Sequence, residues 1–335
     1  MMTIKQIYEL AIKLGTENDL RGVAAVKKKL KRENEKYEKL STDEKKIYDK
    51  ENLTNPYSDT RYFTKDPSQQ IKRLLVGIDL DTEEVLLAKE LTDGGKPIDL
   101  IMSHHPIGIA LAGLHEVMHL QAEVMALHGV PINVAESLMH IRMSEVSRSI
   151  DPYNHQRVID AASLLGFPLI CVHTASDNMV ATYLKNLVDR NKKNIETVGD
   201  IMKLFDEVPE YQVATKLKSG PVLYAGSKDR YAGKIAVTEV TGGTEGSKEM
   251  YSRLAQAGIG TIIGMHMKED HKKEAEKHHI NVIVVGHMSS DSLGMNLFLD
   301  ELEKKGIEII PCSGLIRVSR IKKSKKITPK RKKRR

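Results

Sequence analysis

The chain has no tryptophan, four phenylalanines and only two cysteines among its 335 residues. Cys171 and Cys312 are too few for a disulfide framework and suit a reducing compartment, so a cytoplasmic location is expected. Both stand in apolar segments and read as packing residues. With aromatics at 4%, stacking platforms for single-stranded nucleic acid are not expected. No apolar run approaches the roughly 18 residues that a membrane-spanning helix needs. Met1 to Gln6 lacks the apolar core and small-residue cleavage site of a signal peptide. No membrane role is expected.

Acid is missing locally. From Arg320 to Arg335 the chain carries eleven Lys/Arg and no Asp or Glu. The net charge of +7 therefore misleads: without those eleven, 41 basic residues face 45 acidic ones. Residues 319–335 have the composition of a disordered basic tail, suited at most to weak nucleic-acid contact through counterion release.

What the sequence does contain is alternation. Short apolar runs at Leu74 to Asp79, Ile98 to Ser103, Pro168 to His173, Val222 to Ala225, Lys234 to Val240, Gly260 to Gly264, Asn281 to Gly286 and Ile307 to Pro311 read as strands. Helical patterns separate most of them, at 111–128, 154–165, 178–190, 246–257, 268–278 and 292–304. Strand alternating with helix predicts an α/β protein with a largely parallel sheet in each of two lobes. A junction near Lys216 to Gly220 divides residues 70–215 from 216–318. Residues 1–69 precede them as an amphipathic first helix (Ile4, Ile7, Leu10, Ala11, Leu14) followed by a charged, lightly packed helical pair and a loop at Asn55 to Asp59.

In parallel α/β sheets ligands sit beyond the carboxyl ends of the strands. Three such ends carry metal-ligand chemistry. Ser103-His104-His105-Pro106 follows one strand, and both histidines serve one site only if the chain turns there. His173-Thr174-Ala175-Ser176-Asp177 follows another, with Asp177 also placed to cap a helix. Gly286-His287-Met288-Ser289-Ser290-Asp291 follows a third, and on a helical turn His287 and Asp291 project from one face. Imidazole with carboxylate suits Zn, Mn, Fe or Co, and one carboxylate can bridge two ions.

Two other segments compete. His115-Glu116-Val117-Met118-His119 is an H-E-x-x-H pattern, the zinc-protease signature, without a third ligand in sight. Thr241 to Ser247 is a glycine-rich turn after a strand, suited to an anion or to plain packing.

On His104-His105-Pro106, His173 to Asp177 and Gly286 to Asp291, with Gly242 to Ser247 in its expected place, the chain resembles the Nif-three-like family, also known as NGG-one-interacting factor three or GTP cyclohydrolase I type 2 homologues. The resemblance covers roughly residues 70–316. It implies two similar α/β lobes enclosing a dinuclear metal site, and a toroidal homohexamer. It implies two divalent ions: His105 and Asp177 on one, His104 and His287 on the other, Asp291 bridging. The family's bridging glutamate is aspartate here. Its Thr-Gly-Glu segment is replaced by Ile263-Gly264-Met265-His266, leaving His266 or His271 as a substitute. His173 is the expected catalytic residue, as an orienting group or proton shuttle. The implied activity is metal-dependent hydrolysis of a small-molecule or nucleotide substrate, GTP cyclohydrolase I type 2-like or phosphoester. The alternative is a non-catalytic metal-binding regulatory or interaction protein.

Overall fold

Leu74, Leu75 and Val76 form an unbroken apolar run, and all three are fully buried in the strand they build. It lies inside the larger sheet, with a strand on either side. The computed structural model describes residues 1–321, so the basic run 322–335 lies outside the described residues. Ser319, Arg320 and Ile321, expected in the tail, are described, and the first two are tied down: Ser319 bonds Glu303, and Arg320 pairs with the fully buried Glu210 at 2.8 Å.

The strands, in chain order, are β1 (Met2–Thr3), β2 (Thr60–Phe63), β3 (Gln70–Ile71), β4 (Arg73–Gly77), β5 (Leu100–Ser103), β6 (Leu169–Val172), β7 (Val222–Ala225), β8 (Lys234–Val237), β9 (Ile259–Gly264), β10 (Asn281–Val284) and β11 (Glu308–Pro311). The larger sheet has the order β11-β4-β5-β6-β2, all parallel except β2. The second has the order β7-β10-β9-β8, all parallel except β7. The expected α/β architecture with largely parallel sheets is present, and each sheet adds one antiparallel edge strand.

The partition into lobes differs from the sequence division. β11, placed by sequence in the second lobe, pairs with β4 of the first sheet. β2 comes from the segment expected to hold only helices and a loop, yet it pairs with β6. The helix Ile132–Ile150, which the apolar pattern did not mark, covers the second sheet: Met139, Met143 and Val146 join Ala236, Ile262 and Val282 in one core. Its residues were assigned to the first lobe because chain order says nothing about which sheet a helix crosses to. The helix Ile4–Glu17 buries Ile4, Ile7 and Ala11 in the first core, whereas Val23–Glu38 buries only Val26 and Thr42–Ile47 nothing.

Two helices join the sheets. Thr174–Asn191 gives Ala175 and Met179 to the first core and Val180, Leu184 and Val188 to the second sheet's. His287–Lys304 packs beside it so closely that a Cβ on Gly294 would lie 2.6 Å from the Ser176 carbonyl oxygen. This close approach brings the first turns of both helices to one place.

Candidate metal centre

The centre follows from strand register. Gly77 lies beside Ser103, Ser103 beside Cys171, and Thr60 beside Val172. Continuing each pairing past the strand end sets Asp79, His105, His173 and Asp59 in a row along the sheet's carboxyl edge. The hydrogen bonds bear this out: His105 Nδ1 donates to Asp79 at 2.7 Å and His173 Nδ1 donates to Asp59 at 2.8 Å. Neither aspartate was among the expected site residues. Asp79, read from sequence as the last residue of the first strand, lies two residues past its end at Gly77, and Asp59 had no signal because β2 went unrecognised.

His104 and His105 share the site because the chain bends after β5. The His104 and His105 amides both donate to the Ile78 carbonyl, and Ser103 Oγ donates to the His105 carbonyl at 2.7 Å. His104, fully buried, directs Nδ1 to the Val172 carbonyl at 3.2 Å and Ser176 Oγ at 3.0 Å. A carbonyl only accepts, so Nδ1 carries the proton and Nε2 presents its lone pair.

That lone pair faces two carboxylates. His104 Nε2 is 3.4 Å from Asp177 Oδ1 and 3.5 Å from Asp291 Oδ1. Asp291 Oδ2 is 3.5 Å from His105 Nε2 and 3.4 Å from His287 Nε2. Asp291 and His287 stand one turn apart at the start of their helix. Gly286 makes that start possible: its φ is +91°, and a Cβ there would meet the Ser219 carbonyl at 2.7 Å.

The arrangement is acceptors facing acceptors. His104 Nε2, Asp177 Oδ1 and both Asp291 carboxylate oxygens are buried and have no hydrogen-bond partner among the described residues. No Lys or Arg among those residues pairs with Asp59, Asp177 or Asp291. Burial pushes the His104 pKa down to about 4, so that ring takes no proton at neutral pH and its Nε2 stays an acceptor. Burial also lowers His105, but the negative charges of Asp291 and Asp79 and the hydrogen bond to Asp79 outweigh it and raise that ring to about 10, so without a cation this ring alone of the two carries the extra proton. Burial drives the Asp177 carboxyl well above its ordinary range. A divalent cation removes the conflict. Ligand atoms roughly 2.0–2.1 Å from one ion, at tetrahedral angles, lie about 3.3–3.4 Å from each other, close to the separations here. The residues present fit metal.

Three groups of ligand atoms lie within 4.8 Å of one another: His104, Asp177 and Asp291; His105, His287 and Asp291; and His104, His105 and His173. Asp291 is common to the first two. The resemblance implied a different split, His105 with Asp177 and His104 with His287. The bend after β5 turns His104 inward to Asp177 and His105 outward to His287. The outer side is the accessible one, with His105 26% and His287 38% exposed against none of His104 or Asp291.

Of the two expected substitutes for the family's glutamate, His266 is at the centre and His271 is not. His266 Nε2 lies 3.3 Å from His287 Nε2, and burial together with His287 lowers its pKa to about 4. His271 bonds the Gly246 carbonyl and packs on Tyr251.

The competing segments resolve otherwise. H-E-x-x-H is divided between two short helices, Leu114–Val117 and His119–Leu127, and its residues enter none of the close ligand groups among the described residues. The glycine-rich turn does not open a helix, which begins at Met250. Its Gly246 amide already donates to the chain's own Glu239 at 3.0 Å, and Gln121 holds the Gly242 carbonyl at 2.9 Å. A packing role is what this turn fills.

Fold and centre together describe an α/β protein whose helix starts and strand ends converge on a histidine–aspartate cluster. The chain belongs to the Duf34/NIF3 (NGG1p interacting factor 3) family, whose model matches residues 141–313. The match takes in His173, Asp177, His287 and Asp291 and begins after His104 and His105. Among solved structures, a NIF3 superfamily protein from Sphaerobacter thermophilus is 26% identical with a TM-score of 0.69, covering 77% of this chain and 92% of its own. Reduced HcgD from Methanocaldococcus jannaschii is 14% identical with a TM-score of 0.46, over 74% and 85%. No curated protein matches the chain.

Proposed function

We propose that the chain binds two divalent ions and hydrolyses a small-molecule or nucleotide substrate, by GTP cyclohydrolase I type 2-like or phosphoester chemistry. The observation that carries this reading is Asp291. Its two carboxylate oxygens are buried, have no hydrogen-bond donor among the described residues, and face the Nε2 atoms of three histidines at 3.4–3.5 Å. His104, Asp177 and Asp291 would hold one ion, and His105, His287 and Asp291 the other. Zn, Mn, Fe or Co suits such donors. Ions bound there supply Lewis-acid polarisation and acidify water near neutral pH.

The protein's own part is to fix donors and admit substrate. Asp79 and the Val172 carbonyl hold the Nδ1 protons of His105 and His104, so both Nε2 lone pairs point inward. The fully buried wall of His104 and Asp291 excludes water on one side, while His105 and His287 leave the other open. His266 stands at that open side against His287. Assembly as a homohexamer and a cytoplasmic location complete the proposal. No helix among the described residues is long and apolar enough to cross a membrane.

The test is metal-dependent hydrolysis of GTP and of a generic phosphodiester, with Asp291→Ala as control. Chelator-sensitive turnover lost in the variant supports the reading. Full metal loading with no turnover of either substrate sinks the hydrolase and leaves a metal-binding regulatory protein.

A further inference from the structure

The third close ligand group, His104, His105 and His173, is not accounted for by the two-ion assignment. His173 stands at the start of the helix Thr174–Asn191, with Nδ1 bound to Asp59 and Nε2 3.8 Å from Asp177 Oδ2. Its ring centroid is 4.8 Å from that of His104 and 5.8 Å from that of His105. All three rings thus have Nδ1 committed to an acceptor, at Val172, Asp79 and Asp59, and Nε2 turned into the cluster.

A proton shuttle has to exchange with solvent, and His173 is poorly placed for that. Its side chain is only 7% exposed, and its Nδ1 proton is held by a carboxylate that is itself fully buried. Asp59 also accepts from Thr174 Oγ1 at 2.7 Å, which locks it in place. A carboxylate that orients an imidazole from behind is the usual companion of a metal-bound histidine. His105 has the same companion in Asp79.

We infer that His173 is itself a metal ligand and that Asp59 is the residue that positions it. The inference rests on the metal-binding reading of the centre and adds a sixth ligand to it. It also gives residues 1–69 a part in the site. Asp59 immediately precedes β2, and β2 pairs antiparallel with β6, so Asp59 reaches His173 only because the early segment adds a strand to the sheet. Neither the motif resemblance nor the matched region at 141–313 includes it.

Cobalt(II) is the probe, added to the full chain and to His173→Ala, Asp59→Asn and Asp291→Ala. Affinity is read by competition with a chromophoric chelator. The ligand field is read by visible absorption, and ligand imidazole N–H protons by hyperfine-shifted NMR signals. Asp59→Asn, nearly isosteric, weakens one ion by about 10–100-fold, the loss usual for such orienting carboxylates. His173→Ala costs at least as much and removes one exchangeable hyperfine-shifted signal. Wild-type affinity with an unchanged cobalt spectrum in both variants overturns the inference, and if Asp291→Ala has lost cobalt the two-ion centre survives. Absence of cobalt binding by the wild-type chain overturns both. Thermal melts verify folding, and Asp59→Asn alone decides the matter if His173→Ala does not fold.

Discussion

Gly294→Ala sets two physical effects against each other with opposite sign. In a helix interior, alanine is favoured over glycine by about 0.8–1 kcal/mol. Gly294 lies inside His287–Lys304, so propensity alone stabilises the variant by that amount. The new Cβ, however, would lie 2.6 Å from the Ser176 carbonyl oxygen and 2.7 Å from Val180 Cγ2. The carbonyl belongs to the first turns of the helix Thr174–Asn191 and cannot rotate away as a flexible side chain would. Overpacking of this kind costs about 1–3 kcal/mol. The packing cost wins, and the variant is expected to lose up to about 2 kcal/mol. The two helices also carry Asp177 and Asp291, so forcing them apart widens the histidine–aspartate cluster where the proposed ions would sit. Urea unfolding in chelator gives the stability change, and repeating it in excess Zn gives the metal's share, which should shrink. A variant about 1 kcal/mol more stable than wild type, with undiminished stabilisation by Zn, refutes the close-packing account.

Removing the carboxylate behind His105, by Asp79→Asn, should weaken metal binding by about 10–100-fold, as measured by chelator competition. Excess metal at 100 times its dissociation constant should raise stability by about 2.7 kcal/mol, seen as a shift in the unfolding midpoint that EDTA reverses. Arg21→Ala leaves Asp19 buried without its cation. The pair is 2.7 Å apart with side chains 2% and 0% exposed, so a loss of about 3–5 kcal/mol is expected in urea melts. His119→Ala should leave metal content unchanged by elemental analysis, because H-E-x-x-H takes no part in the cluster; loss of metal there would restore the protease reading.

How much of this was legible in the sequence depended on whether the signal was local. The strand ends carrying His104-His105, His173 to Asp177 and Gly286 to Asp291 were legible because apolar runs mark buried parallel strands and polar residues at their carboxyl ends stand out. The ends after β5 and β6 share the carboxyl edge of one sheet, whereas the end after β10 comes from the other, so its arrival at the cluster had no local signature. β2 was missed because Thr60-Arg61-Tyr62-Phe63 is a short edge strand with a buried arginine, and Asp59 was lost with it. The helix Ile132–Ile150 was missed because its apolar face uses small or adaptable residues, Ala135, Met139 and Met143, that give a faint periodicity. Its match to the second sheet, like the return of β11 to the first, is a long-range contact without a local signature. The grouping of candidate ligand atoms turned on which way the bend after β5 directs two adjacent rings, which adjacency alone does not settle.

Metal content per chain reaches the central claim most directly. The protein is purified without chelator, supplemented with Zn or Mn, freed of loose ions and analysed for metal beside Asp291→Ala. The account predicts roughly two ions per wild-type chain, the number a shared carboxylate at such a site serves, and a clear loss in the variant. A wild-type chain that holds no metal after supplementation contradicts it.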